Sequence, residues 1–230
     1  VLLVLGQSNA ASHAAPLGPR AADGLEVTVF VDGRCRRATD PLPNTTGEGA
    51  SLWTAVDAAW RAAGREEPVV WAPLAVGATA IGRWTDPDDP VHLRLRAHLD
   101  ALARSGLRVD RVLWQQGESD ARDGTDADDW IAGLRRLRAM LDARGIDAPL
   151  HVARSTWCRG EGTGALSRAL DRHRDTLVAA RIVPGADTDA LRGPAMRRDD
   201  CHFTEAGRMA AAARWIEVLD APAARPTPSR

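Results

Sequence analysis

The sequence contains no lysine and no tyrosine. All 30 basic residues are arginine, and the aromatics are 8 Trp and 2 Phe. Without a lysine amine there is no Schiff base to a carbonyl substrate, no pyridoxal aldimine and no phosphate-loop lysine. Surplus cations are lacking too: 31 acidic residues leave a net charge of -1. Nucleic-acid binding, which needs clustered positive charge to neutralise phosphates, is therefore not expected. Cysteine is scarce. Cys35, Cys158 and Cys201 show no CxxC and no Cys/His ligand spacing, so a structural zinc site is not expected and at most one internal disulfide can form. No apolar run approaches the ~20 residues needed to cross a bilayer. The opening VLLVL is too short for a signal core and has no basic leader. Because the chain starts at Val1, directly on that run, what precedes it stays open, and cytoplasmic and secreted locations are both compatible.

The remaining composition, 44% hydrophobic and 27% charged, is that of a globular protein rather than a disordered or fibrous one. A chain of 230 residues can bury a sizeable core as one domain. The expected division is a single domain over 1–219 and a Pro/Ala-rich tail over 220–230. Val1–Leu5, Val69–Leu74, Val112–Trp114 and Leu150–Ala153 read as short buried strands bounded by turn residues. Leu25–Val31 reads as a further strand in an accessory hairpin or at an edge. Between them Leu52, Val56, Ala59, Trp60 and Ala63 recur at helical spacing, as do Trp130, Leu134, Leu137 and Leu141. Leu166–Arg181 and Thr204–Leu219 complete the helices. Alternating strands and helices predict an α/β fold, a three-layer sandwich around a doubly wound, mainly parallel sheet of about five strands. Ligands bind such sheets at the carboxyl ends of the strands.

Four segments follow those strands. After the first comes Gly6-Gln7-Ser8-Asn9, where a tight strand-to-helix turn would present Ser8 as a nucleophile beside its own backbone N–H; a helix N-cap is the commoner role for such a serine. After the second comes Gly77-Ala78-Thr79-Ala80-Ile81-Gly82-Arg83-Trp84, whose small residues let backbone N–H groups approach a ligand. After the third comes Gln116-Gly117-Glu118-Ser119-Asp120, polar side chains that are costly there unless they face a cleft or one another. The Gln116 amide is a candidate oxyanion donor, and Glu118 a candidate for orienting neighbours or binding sugar hydroxyls. Before the last helix comes Asp199-Asp200-Cys201-His202. Its spacing lets Asp199 hold the His202 imidazole in the tautomer that leaves the other nitrogen facing a serine.

Taken together, GQSN at 6–9, GATAIGRW at 77–84, QGESD at 116–120 and DDCH at 199–202 resemble the SGNH hydrolase superfamily. The match is to its sialate O-acetylesterase-like and carbohydrate esterase family six branch, and it covers almost the whole chain. The resemblance implies a flavodoxin-like SGNH fold and a carbohydrate O-acetylesterase with no metal or cofactor. Its partner would be an acetyl ester of a small molecule or oligosaccharide. Ser8, Asp199 and His202 would be catalytic, and Ser8, Gly77 and Gln116 would form the oxyanion hole. Gln7, Ala78, Trp84 and Glu118 would bind or support substrate. One departure is visible: the branch has a second glycine where this chain has Ala78, which still supplies an N–H provided its φ stays negative.

Other features carry blander readings. The acidic run Asp120, Asp123, Asp126, Asp128 and Asp129 lacks calcium-loop spacing and reads as a solvated loop whose last members cap the Trp130 helix. Trp84 has sugar stacking and core packing as equal alternatives. Cys201 reads as buried or disulfide-linked, with Cys158 as its candidate partner. Asp200 and Glu118 compete with Asp199 for the task of orienting His202. The remaining histidines, His13 among them, have no matching partner and read as structural or exposed.

Overall fold

The computed structural model describes residues 1–17, 26–160 and 164–221. The chain runs β1 (Leu2–Gly6), β2 (Val27–Val31), β3 (Arg34–Ala38), α1 (Leu52–Ala62), β4 (Val70–Ala75), α2 (Ile81–Thr85), α3 (Pro90–Ser105) and β5 (Arg111–Gln115). It continues with α4 (Glu118–Asp123), α5 (Ala127–Asp142), β6 (Leu150–Arg154), α6 (Ala165–Arg172), α7 (Arg174–Ala179), β7 (Ile182–Asp187) and α8 (Glu205–Asp220).

These strands form one seven-stranded sheet in the order β3-β2-β4-β1-β5-β6-β7, parallel except for the β2–β3 hairpin. The period-two alternation of a strand buried on both faces is written into β1: Leu3 and Leu5 enter one core, Leu2 and Val4 the other. Helices α1 and α8 supply Trp53, Val56 and Trp215 to the Leu2/Val4 face, while α3 and α5 supply Leu95, Leu99, Trp130 and Leu134 to the opposite one. The mainly parallel three-layer architecture matches the expectation; the strand number does not.

Seven strands replace the expected five for two reasons. β3 reads RCRRA, largely exposed, and sits at the sheet edge, where charge blunts further pairing but removes any apolar signal. β7 reads IVPGAD, and its internal Pro and Gly argue against a strand; as the other edge strand it pairs with β6 alone. The expected Leu25–Val31 strand is β2, except that Leu25 lies outside the described residues. It joins β3 through Asp32 and Gly33, both at positive φ (53° and 77°), as a two-residue hairpin requires. The single helix expected over Leu166–Arg181 is α6 and α7, separated at His173 (φ -98°, ψ 7°), whose ring bonds Asp128 at 3.1 Å. Of the expected tail, Asp220 ends α8, and residues 222–230 lie outside the described residues.

β1 lies at the centre, with β4 on one side and β5 on the other. The chain reverses direction across the sheet there, so the carboxyl end of β1 opens into the crevice where such folds bind ligands.

Candidate active site

The turn that carries Ser8 depends on a close approach. Gly6 has φ 147°, and a Cβ at that position would lie 2.1 Å from the Gln115 carbonyl oxygen. Only glycine lets β1 end against β5 in this way. The next residue then donates from Gln7 N–H to Gln115 O at 3.1 Å, and the N–H groups of Ala10 and Ala11 fold back to Gln7 O. Trp53 Nε1 donates to Ala10 O at 2.8 Å and fixes the far side of the turn. Among the described residues Ser8 N–H has no backbone partner.

Ser8 lines a cleft of about 600 Å³ with Gln7, His13, Thr46, Gly77, Ala78, Glu118, Ser119, Arg122, Cys158, Arg159, Cys201 and His202. Residues from both ends of the chain thus meet at one edge of the sheet.

His202 sits on the loop before α8. Its Nδ1 lies 2.7 Å from Asp199 Oδ2, and its backbone N–H donates to Asp199 Oδ1 at 2.6 Å. Burial pushes the Asp199 carboxyl up, but the bonds from the His202 ring, the His202 N–H and the Cys201 N–H outweigh it and hold the group at about 2. An ionised carboxylate only accepts, so Nδ1 carries a proton, and in the neutral ring Nε2 is then the acceptor. Asp200 is turned elsewhere: its Oδ1 accepts from Trp157 Nε1 at 3.1 Å. The loop is tied down by a Cys158–Cys201 disulfide and by Asn9 Nδ2, which donates to Cys201 O at 3.2 Å.

Glu118 is fully buried at the start of α4. Its Oε1 accepts from Asn9 Nδ2 and from Ser155 Oγ, both at 2.7 Å, while Oε2 has no partner among the described residues. Desolvation pushes its carboxyl up to about 7, against the pull of those two bonds. Glu118 therefore braces the Ser8 turn and, through Asn9, the His202 loop. Gln7 braces it from the other side, its Oε1 accepting from Ser119 N–H at 3.1 Å.

Three expectations need correction. Gln116 is fully buried, with its amide committed to Asp120, Thr79 O (3.0 Å) and Gln7 Oε1 (3.3 Å). It holds the β5–α4 corner and leaves no N–H for an oxyanion. Trp84 is also fully buried, edge-on to Trp114 at 5.2 Å with Nε1 on Thr79 Oγ1, so it packs the core and stacks on no sugar. Ala78 adopts φ 57° rather than a negative value, a left-handed conformation that glycine takes without strain and alanine does not. Gly77 N–H donates to Thr46 Oγ1 at 2.7 Å, whereas Ala78 N–H has no backbone partner among the described residues.

Several cleft residues escaped the sequence reading. His13 stacks on His202 with centroids 5.5 Å apart and planes 22° apart. Thr46 is brought in because the Thr45↔Ala75 bridge lays its segment along the end of β4. Arg122 and Arg159 line the rim. No spacing rule links these positions; tertiary folding alone assembles them.

A serine at the carboxyl edge of a doubly wound sheet thus shares a cleft with an aspartate-held histidine. The chain belongs to the family described as carbohydrate esterase, sialic acid-specific acetylesterase, which it matches over residues 1–219; it is a carboxylic ester hydrolase of the carbohydrate acetylesterase class. No curated protein sequence matches it. Among solved structures, a protein from Arabidopsis thaliana is similar at TM-score 0.69 and 19% identity, covering 94% of this chain and 96% of that one. NanS is similar at TM-score 0.64 and 15% identity, with 95% of each chain covered. Axe2, an acetylxylan esterase from Geobacillus stearothermophilus, is similar at TM-score 0.58 and 16% identity, covering 96% of this chain and 94% of that one. At these identities the likeness is one of fold.

Proposed function

We propose that the protein removes acetyl groups from a carbohydrate through a Ser8–His202–Asp199 triad and an acyl-serine intermediate. The observation that carries this reading is the Asp199–His202 hydrogen bond, which leaves His202 Nε2 a proton acceptor in the cleft that Ser8 lines. Ser8 Oγ attacks the acetyl carbonyl as His202 Nε2 takes its proton. The tetrahedral oxyanion is held by Ser8 N–H and by an N–H of the Gly77–Ala78 segment. Collapse breaks the bond to the sugar oxygen, and the imidazolium returns its proton to that oxygen. Water then attacks the acyl-serine with His202 as base, releasing acetate and restoring Ser8.

A sugar ester is favoured over a long-chain lipid ester by the walls of the cleft. Thr46, Ser119, Arg122 and Arg159 bring hydrogen-bonding groups to the cleft that a sugar's hydroxyls can meet. Within the sugars, the two rim arginines favour an acidic one, since guanidinium groups pair with carboxylates. Arg122 is already paired with Asp123 at 2.8 Å, so Arg159 is the residue assigned to that carboxylate.

Rapid-quench peptide mapping during p-nitrophenyl acetate turnover tests the intermediate. Acetyl mass on the Ser8 peptide supports the mechanism; burst kinetics with the acetyl group on another residue contradicts it. Acetate release from acetylated sialic acid and acetylated xylan separates acidic from neutral sugars.

A further inference from the structure

We propose that His13 is a positioning residue of the ester hydrolysis: stacked on the His202 ring and tied through Thr46 to the Gly77 backbone, it holds the general base in register with the loop after β4. The proposal rests on the reading of His202 as that base.

His13 is fixed on three sides. Its Nε2 lies 3.1 Å from Thr46 Oγ1, which also accepts from Gly77 N–H at 2.7 Å. Thr46 is itself held, because its N–H donates to Ala75 O at 3.0 Å and its carbonyl accepts from Ser12 N–H at 2.9 Å. The fit around Gly77 is tight: a Cβ there would meet His13 Nε2 at 3.1 Å and Thr46 Oγ1 at 3.2 Å. Behind the ring, Arg198 donates to His13 O at 3.1 Å, joining the Ser8 turn to the loop of Asp199 and His202.

The stack therefore connects the two halves of the proposed machinery that no covalent segment joins directly. A base displaced by about 1 Å loses on the order of 10²-fold in rate, so a ring that removes the freedom of His202 acts on kcat. The stack also has an electrostatic side. The reaction passes through a His202 imidazolium, and a neutral ring beside it is tolerated where a cation would repel it. Among the described residues three charged or titratable groups act on His13: His202 and Arg198, which with burial disfavour its protonation, and Asp199, which favours it. Burial is the largest of these influences, and Thr46 and Gly77 add no charge.

The test uses His13→Ala, His13→Phe and His13→Arg, with kcat and KM for p-nitrophenyl acetate measured across pH. A parallel NMR titration follows the His202 ring in the Ser8→Ala background. His13→Ala is expected to lower kcat by about 10–100-fold with KM within about threefold. His13→Phe, which keeps a ring on the stack, recovers most of that loss. His13→Arg moves the acid limb of kcat/KM, and the midpoint of the His202 signal, about one pH unit toward acid, the repulsion expected of a fixed cation at such a separation. Wild-type kcat in His13→Ala, equal impairment in Ala and Phe, or an unmoved midpoint in Arg would overturn the proposal. The NMR arm needs no turnover. If the wild type hydrolyses no ester, the functional reading fails while the His13–His202 coupling is still decided by that midpoint.

Discussion

Asp199 grips His202 twice, through the ring Nδ1 at 2.7 Å and through the backbone N–H at 2.6 Å. One carboxylate thus sets both the tautomer of the imidazole and the turn that carries it. Asp199→Asn keeps the shape but no longer selects Nδ1–H. It is expected to lower kcat for p-nitrophenyl acetate by ~10³–10⁴-fold, with Asp200→Asn close to wild type. Equal, small losses in both variants would show that another group orients His202.

Glu118 makes stability depend on pH in the opposite sense to a surface ion pair. Its carboxyl lies at about 7 in the fold against 4.5 as the ordinary value, so the folded state holds the proton more tightly. Stability is greatest below about 4.5, falls as pH rises toward 7, and levels off above. The span amounts to roughly 3 kcal/mol. Glu118→Gln, which cannot ionise, should flatten that slope in denaturant melts between pH 4.5 and 7; an unchanged slope would mean Glu118 is not its source.

Ala78 at φ 57° carries left-handed strain of about 1 kcal/mol or slightly more, partly offset by the greater unfolded-state freedom of glycine. Ala78→Gly should therefore raise stability by up to ~1 kcal/mol with activity retained. A destabilised variant would argue that the loop does not hold this conformation.

The Cys158–Cys201 disulfide closes a separation of 43 residues and ends one residue from His202. Loop-closure entropy assigns it roughly 2–4 kcal/mol. Cys158→Ser should lower the melting midpoint and reduce kcat, as the His202 loop loses an anchor. Wild-type kcat with only a lower midpoint would show that Asn9 and Arg197, which also bond Cys201 O, suffice to hold it.

At the rim, Arg159→Ala should raise KM for an acetylated acidic sugar by about tenfold, the ~1.4 kcal/mol expected of a charge-assisted contact. KM for p-nitrophenyl acetate should be unchanged. Equal effects on both esters would remove Arg159 from carboxylate recognition.

What was legible in the sequence followed from local rules. β1, β4, β5 and β6 are short apolar runs buried on both faces, and Asp126 caps α5 by accepting from Asp128 and Asp129 N–H, whereas Asp120 of the same acidic run is buried in α4 rather than solvated. Asp199 and His202 were legible because three residues of one loop suffice to pair them. Gln116 was misread, and Trp84 stood between two equal readings, because sequence places a residue after a strand without saying whether its side chain faces the cleft or the core; both face inward. His13 was missed for the converse reason. Its partners Thr46, Gly77 and His202 lie 33, 64 and 189 residues away along the chain, and only the assembled sheet edge brings them together.

The central assignment is Ser8 as nucleophile, and the most direct measurement is the rate of p-nitrophenyl acetate hydrolysis by wild type and Ser8→Ala at matched folded concentration. Loss of activity by ~10⁶-fold in kcat, with the thermal melt unchanged, is the expected result. Activity that survives Ser8→Ala undiminished would contradict it.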